Sequence, residues 1–253
     1  MGFNWQVFFT AFYRIGTRYY IIAGLLFLVF YILKKKKWHY KKIQLRDAKT
    51  IDFLREIIYS TSTILIFSLF IYILYLPSVA PHTTRYLNIS DRGWLYYFAV
   101  FPLLFLVHDT YFYWFHRLMH HPRLFKHIHL VHHQSTNPSP WAAYAFHPLE
   151  AIIEQGIIFL FYFTIPIHIT HLIFFFLFSI IYNAYGHLGY ELYSSKFSKS
   201  KIGRWINTSV NHNQHHQYFK GNYGLYLLFW DRMMGTIRED YDQQFEEVTN
   251  RKN

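Results

Sequence analysis

The stretch "WLYYFAVFPLLFLVHDTYFYWFHRLMHHPRLFKHIHLVHH", residues 94–133, decides the fold. It opens on an apolar run, "WLYYFAVFPLLFLV", and its last 26 residues hold eight histidines. A run of that kind reads as part of a membrane-spanning helix, which needs about 20 apolar residues. Ionisable side chains are costly in hydrocarbon and mark function where they occur. A chain that passes straight from one into the other places a histidine cluster at a membrane boundary.

The rest of the composition agrees. Of 253 residues, 53% are hydrophobic and 23% aromatic, which is too apolar for an ordinary soluble domain. Charges and histidines still hold the mean hydropathy near zero, as expected for spanning segments joined by polar functional ones. Cysteine is absent, so disulfides, thiolate zinc sites and iron–sulfur clusters are excluded. The net charge of +11 invites a nucleic-acid reading. Its densest run, "KKKKWHYKK" (34–42), directly follows the apolar "IIAGLLFLVFYIL". Basic residues so placed mark the cytoplasmic end of a spanning helix and anionic headgroups, and no nucleic-acid partner is expected. The amino terminus has no basic region with a small-residue cleavage site, so no cleaved signal peptide is expected.

Spans are expected at about 19–33, at about 57–76, from Trp94 toward the first histidines, and as a fourth and fifth within 151–186, split near Pro166 by "TIPIHIT". These last two are short, and either cross fully or form a shallow hairpin. Pro122 breaks the chain between the first two histidine groups. The fold class is therefore an all-α membrane protein of four or five membrane helices. The whole chain, 1–253, reads as a single integral membrane domain. Its helical stem takes about 19–116 and 151–186, and a helical cap takes 117–150 and 187–253. Charge placement, counted without the histidines, puts that cap in the cytoplasm, of a bacterial cell or beside an endoplasmic reticulum.

Three histidine groups repeat a geometry. His116 and His120 are i and i+4; His129, His132 and His133, like His212, His215 and His216, are i, i+3 and i+4. On a helix each group presents one face. Eight imidazoles exceed what one ion takes and suit two, and His187 in "YNAYGHLGYE" is a plausible ninth. All-nitrogen donor sets favour zinc, iron, copper or nickel over magnesium or calcium. No H-E-x-x-H of a zinc peptidase is present, nor the paired E-x-x-H of soluble di-iron proteins. Two redox metals close together can use O2 to attack an unactivated C–H bond, and a membrane boundary is where a lipid reaches such a centre.

The ordered pieces "DTYFYWFHRLMHH", "FKHIHLVHH", "SPWAAYAFHPLE", "GHLGYE" and "NHNQHHQYFKGNYGLYLLFWDRMMGT" resemble the fatty acid hydroxylase/sterol desaturase superfamily over roughly 94–237, closest to sterol C5-desaturase-like and bacterial members. The resemblance implies a membrane stem with a cytosolic cap holding a dimetal centre, di-iron in general, with zinc able to occupy it. Carried over by position, its ligands are His116, His120, His129, His132, His133, His187, His212, His215 and His216. The implied activity is O2-dependent hydroxylation or desaturation of a fatty-acyl or sterol-type lipid. The chain carries no haem, flavin or iron–sulfur motif, so electrons must come from a separate cytochrome or ferredoxin with its reductase.

Other residues are read beside these. His121 is an alternative to His120, and His147 is either a ligand or a hydrogen-bonding neighbour of one. Asp109 is placed to orient a ligand imidazole. His108 is not expected to bind metal. Glu150 and Glu154 read as a solvated helix start, and Asp231 with Arg232 as structural closure of the cap. His168 and His171, also at helical spacing, fall at the far end of the 151–186 hairpin. The alternative functions are a membrane metal transporter, which predicts ionisable residues within the spans, and a bis-histidine haem cytochrome, which predicts histidines facing one another from different helices.

Overall fold

The structure is a computed structural model that describes residues 4–252. It is helical, and no β-strand forms among the described residues, only isolated bridges such as Lys42 with Tyr190. Helix α1 runs Trp5–Phe27 and continues as a π-helical turn over Leu28–Leu33. The others are α2 (Thr50–Leu74), α3 (Gly93–Met119), α4 (Pro122–Ile128), α5 (Leu130–His133), α6 (Pro148–Gln155), α7 (Ile157–Thr164), α8 (Ile169–Gly186), α9 (Ser209–Tyr218), α10 (Phe229–Met233) and α11 (Tyr241–Thr249).

Among the described residues, four helices are long and apolar enough to cross a membrane: Trp5–Leu33, α2, α3 and α8. The first begins well before the expected 19, because Arg14 and Arg18 depress the hydropathy of a helix that nevertheless continues through them. The segment 148–164 is not a single span. It breaks at Gly156 into two helices of 8 residues each. A Cβ at Gly156 would lie 2.7 Å from the Tyr111 hydroxyl, which donates to the Ile153 carbonyl at 2.6 Å, so glycine admits the close approach of α3 at the break.

The stem packs around an inserted turn. Residues 140–144 lie against α1, α2 and α8, where Tyr19 and Ser60 both donate to the Trp141 carbonyl, at 2.7 and 3.0 Å. A second apolar cluster joins α3, α7 and α8 through Leu104, Phe161 and Phe175. The basic loop after α1 sits at the histidine end of the stem, where Ile43 N–H donates to the Gly189 carbonyl at 2.9 Å and Arg251 donates to the Lys42 carbonyl. The basic run and every dense histidine group therefore share one end of the molecule.

Candidate metal centre

Each histidine is delivered by an element end. Helix α3 carries His116 in its last turn, and His120 caps it. Pro122 cannot extend α3 and instead starts α4, with His121 as N-cap. His129 stands at the joint between α4 and α5, and α5 presents His132 and His133. His187 caps the carboxyl end of α8.

Helix α9, "SVNHNQHHQY", is the most telling. It is polar all round, yet Ser209 through His216 are all buried. Buried polar groups must find partners. Asn213 accepts from Gln44 Nε2 at 2.9 Å and Gln214 accepts from Asn222 Nδ2 at 3.1 Å. The imidazoles find each other.

The nine histidines converge in two groups: His116, His120, His129, His133 and His215 in one, and His132, His187, His212 and His216 in the other. Within each group the donor nitrogens lie within 4.8 Å of one another. The groups adjoin, with the His133 and His216 rings stacked at 4.8 Å and those of His129 and His132 at 5.3 Å. Each H-x-x-H-H motif is divided between them. Its i and i+4 members enter one group, and its middle histidine crosses to the other.

Proton counting shows what the groups are built for. Nδ1–H of His116 donates to the Tyr223 carbonyl at 2.9 Å and that of His215 to the Gly221 carbonyl at 2.7 Å, which leaves both Nε2 atoms bare. The first group then holds four Nε2···Nε2 contacts, His116–His129, His129–His133, His133–His120 and His120–His215, at 3.0–3.1 Å. Nδ1–H of His129 is likewise held, by the Glu150 carboxyl at 2.7 Å, so only His133 and His120 can bring a ring proton to them, and at most two of the four contacts are hydrogen bonds. In the second group His187 Nδ1–H donates to the Asn183 carbonyl at 2.8 Å. Its single Nε2 lone pair then faces Nε2 of His132, His212 and His216 at 3.3, 3.1 and 3.1 Å. One lone pair accepts one proton. A cation at the centre of each group satisfies every nitrogen at once. Two donors at right angles on an ion with bonds of about 2.1 Å lie about 3.0 Å apart, and tetrahedral donors about 3.4 Å apart. The observed spacings match, and the donor sets fit one ion each.

Protonation does not relieve the crowding. Burial holds His187 down to about 4, and burial together with neighbouring imidazoles holds His129, His132, His133, His212, His215 and His216 well below their ordinary value. Because these shifts are downward, the fold favours the neutral rings. For His187 the stability so contributed is complete above the unfolded value of about 6.5 and is lost as pH falls toward about 4; the other rings act in the same direction.

The other expectations fall differently. His121 and His147 lie outside both groups, and each caps the short helix that a following proline starts, accepting at Nδ1 from the N–H of Arg123 and Leu149, both at 3.3 Å. Asp109 Oδ1 accepts from the N–H groups of Tyr226 and Leu227, at 2.8 and 3.1 Å, and so ties α3 to the loop after α9 instead of orienting an imidazole. His108 Nδ1 pairs with the Tyr226 hydroxyl at 3.0 Å, away from both groups. Asp231 closes the cap, accepting from Tyr223 N–H, Gly224 N–H and the Thr236 hydroxyl.

Glu150 is the residue missed. It is not a solvated helix start: it is 1% exposed, and its carboxyl meets His129 Nδ1 at 2.7 Å. Glu154 is also buried, at 9% exposure. Nothing in one sequence separates a first-turn glutamate that faces solvent from one that turns inward.

His168 and His171 stay with the distal loop, where His168 Nε2 reaches the Leu87 carbonyl at 3.0 Å and His171 Nε2 the Tyr97 carbonyl at 2.8 Å. Along α8, His168 stands about 28 Å and His171 about 24 Å from His187. Changing both to Ala is expected to leave metal content unchanged; loss of either ion on elemental analysis would show the assignment of the two groups to be wrong.

Four apolar helices that lead into a buried polyhistidine site mark an integral membrane protein whose histidine groups are compatible with a metal site. The family model for fatty acid hydroxylases matches residues 101–236, and the chain belongs to that family. It is 33% identical over 65% of its length to a Delta(7)-sterol 5(6)-desaturase of Gibberella zeae, covering 49% of that protein. It is 29% identical over 90% of its length to a Delta(7)-sterol 5(6)-desaturase of Leptosphaeria maculans and 31% identical over 73% to a lathosterol oxidase of Rattus norvegicus, covering 60% of each. The chain thus spans half to three-fifths of the length of these relatives. No solved structure matches it.

Proposed function

We propose that this chain oxidises a C–H bond of a sterol- or fatty-acyl-type lipid with O2, at two ions of a redox metal, iron, held by His116, His120, His129, His133 and His215 on one side and His132, His187, His212 and His216 on the other. The observation that carries this reading is the convergence of two all-imidazole donor sets side by side at the boundary of an apolar stem. Names of the relatives point to the same substrate class. The ions would supply the activation of O2. The chain's own part is to hold them without oxidisable thiols, to bury them from water, and to fix ring tautomers through the carbonyls of Tyr223, Gly221 and Asn183 and the carboxyl of Glu150.

Hydroxylation inserts one oxygen atom from O2 and releases one water; desaturation removes two hydrogens and releases two waters. Each consumes two electrons and two protons. A separate cytochrome or ferredoxin with its reductase supplies the electrons. Haem fits poorly, because it takes two axial ligands and these imidazoles converge in fives and fours.

Lipid profiling of cells with and without the gene, under 18O2, tests the reading. A product heavier by one 18O atom identifies a hydroxylase, and an unlabelled product lighter by two hydrogens a desaturase. An unchanged lipid profile with the metal-loaded, electron-supplied protein would refute it. We also place the cap in the cytoplasm, from the basic run at its end of the stem. Since the chain has no cysteine, a single Lys36→Cys variant reports the side cleanly. It is expected to resist a membrane-impermeant thiol reagent in intact cells and to react after lysis; labelling before lysis would invert the topology.

A further inference from the structure

At the end of the stem away from the histidines, a cavity of about 340 Å³ opens between α1 and α8. Its wall is apolar, formed by Ala11, Ile15, Phe67, Ile158 and Leu172. Arg14, Arg18 and Gln155 break that lining. The two arginines stand one turn apart and so share a face of α1. Among the described residues neither is in an ion pair. Arg18 hydrogen-bonds the Tyr144 hydroxyl and lies over the Phe176 ring at 5.8 Å, and its Nε is buried without a hydrogen-bond partner. Gln155 is 3% exposed, lines the same cavity, and makes no side-chain hydrogen bond among the described residues.

Depth says what belongs there. At 1.5 Å per residue, Arg14 lies about 30 Å along α1 from Lys34 at the histidine end, and Arg18 about 24 Å. Hydrocarbon is about 30 Å thick, so Arg14 sits at the distal headgroup level, and Arg18 reaches inward from there to the Phe176 ring. Phe176, at the inner end, is about 15 Å along α8 from Gly186, near mid-bilayer. The cavity therefore has the depth of one leaflet, with Arg14 at its polar end and Arg18 reaching toward its inner end, neither of them in an ion pair among the described residues. Arginine forks match phosphate or carboxylate oxygens, and charges in such places are paired.

We propose that this cavity binds an acidic-headed acyl lipid of the distal leaflet, its phosphate or carboxylate on Arg14 and Arg18 and its chain along the apolar wall. The Gln155 amide, deeper in, is free to donate to an ester oxygen, which favours a phospholipid over a free fatty acid. The site is separate from the metal centre. Between it and His132 stand Tyr144 and Phe146, both buried, with Tyr19 stacked on Tyr144 at 5.2 Å and Phe146 against His132 at 5.1 Å, so a chain in the cavity does not reach the histidines. The proposal stands whether or not the oxidation reading does.

Native mass spectrometry of the metal-loaded protein in detergent, titrated with phosphatidylglycerol, phosphatidylcholine and oleate, tests it. Phosphatidylglycerol is expected to be retained at least about fivefold more than phosphatidylcholine, a difference of about 1 kcal/mol. The preference should vanish in R14Q/R18Q while metal per chain is unchanged. Ile173→Trp, at the exposed mouth, should block retention with both arginines in place, and it carries the test should the double variant fail to fold. Oleate retained with the same arginine dependence, and phosphatidylglycerol not, would support the acidic site with a fatty acid as its ligand. Equal retention of the zwitterionic and acidic lipids, or a preference that survives both variants, would overturn the proposal.

Discussion

His132→Ala is expected to reduce the metal content from two ions per chain to one and to bring lipid oxidation below detection. His132 belongs to the four-membered group, and His187, His212 and His216 alone would remain. Neighbouring imidazoles are already engaged: His129 and His133 face the other ion, and His147 caps α6. No spare nitrogen can take the vacated place. His215→Ala differs, because four imidazoles remain in its group of five and still form a complete donor set. That variant is expected to keep its ion with weaker affinity. Elemental analysis of both proteins, purified alike and checked for folding by chromatography and circular dichroism, distinguishes them. Two ions retained in His132→Ala would show that the second group does not bind metal.

Glu150→Gln is expected to lower metal affinity or turnover by roughly 10- to 100-fold, the usual cost of losing the partner that orients a ligand imidazole. The carboxyl meets His129 Nδ1 at 2.7 Å in a site where both residues are buried. An amide of the same shape keeps the packing but offers His129 a weaker acceptor, so the ring is less basic at Nε2. Asp109→Asn is the matched control. Its contacts are the N–H groups of Tyr226 and Leu227, and its effect should fall on thermal stability with two ions still bound. Equal metal affinity in Glu150→Gln and the parent would mean that His129 is held by its backbone alone.

Much of this was legible in the sequence because histidine spacing and apolar runs are local signals. The nine imidazoles in the two groups are the nine whose motifs stand out, and α3 runs into the first of them as its apolar run suggests. What was not legible depends on direction. Reading H-x-x-H-H as one face treats His132 and His133 as equivalent, yet successive residues on a helix diverge by about 100°, and here that divergence sends them to different groups. The start of α1 was misplaced because a hydropathy average counts Arg14 and Arg18 as interruptions, whereas a cavity accommodates them. Glu150 takes the role expected of Asp109 for a similar reason. Both are carboxylates near histidines in sequence, and only the packing of α6 against the cap decides which one touches a ring.

Helix α9 also sets the order in which the protein matures. Both groups are incomplete until it arrives: the first lacks His215, and the second lacks His212 and His216. All the stem helices precede it in the chain, so they can insert into the bilayer while the histidine end is still open. On the proposed reading, metal capture by the second group would therefore be a late step of biogenesis, taken after synthesis has passed Tyr218, whereas the four other imidazoles of the first group precede α9 in the chain.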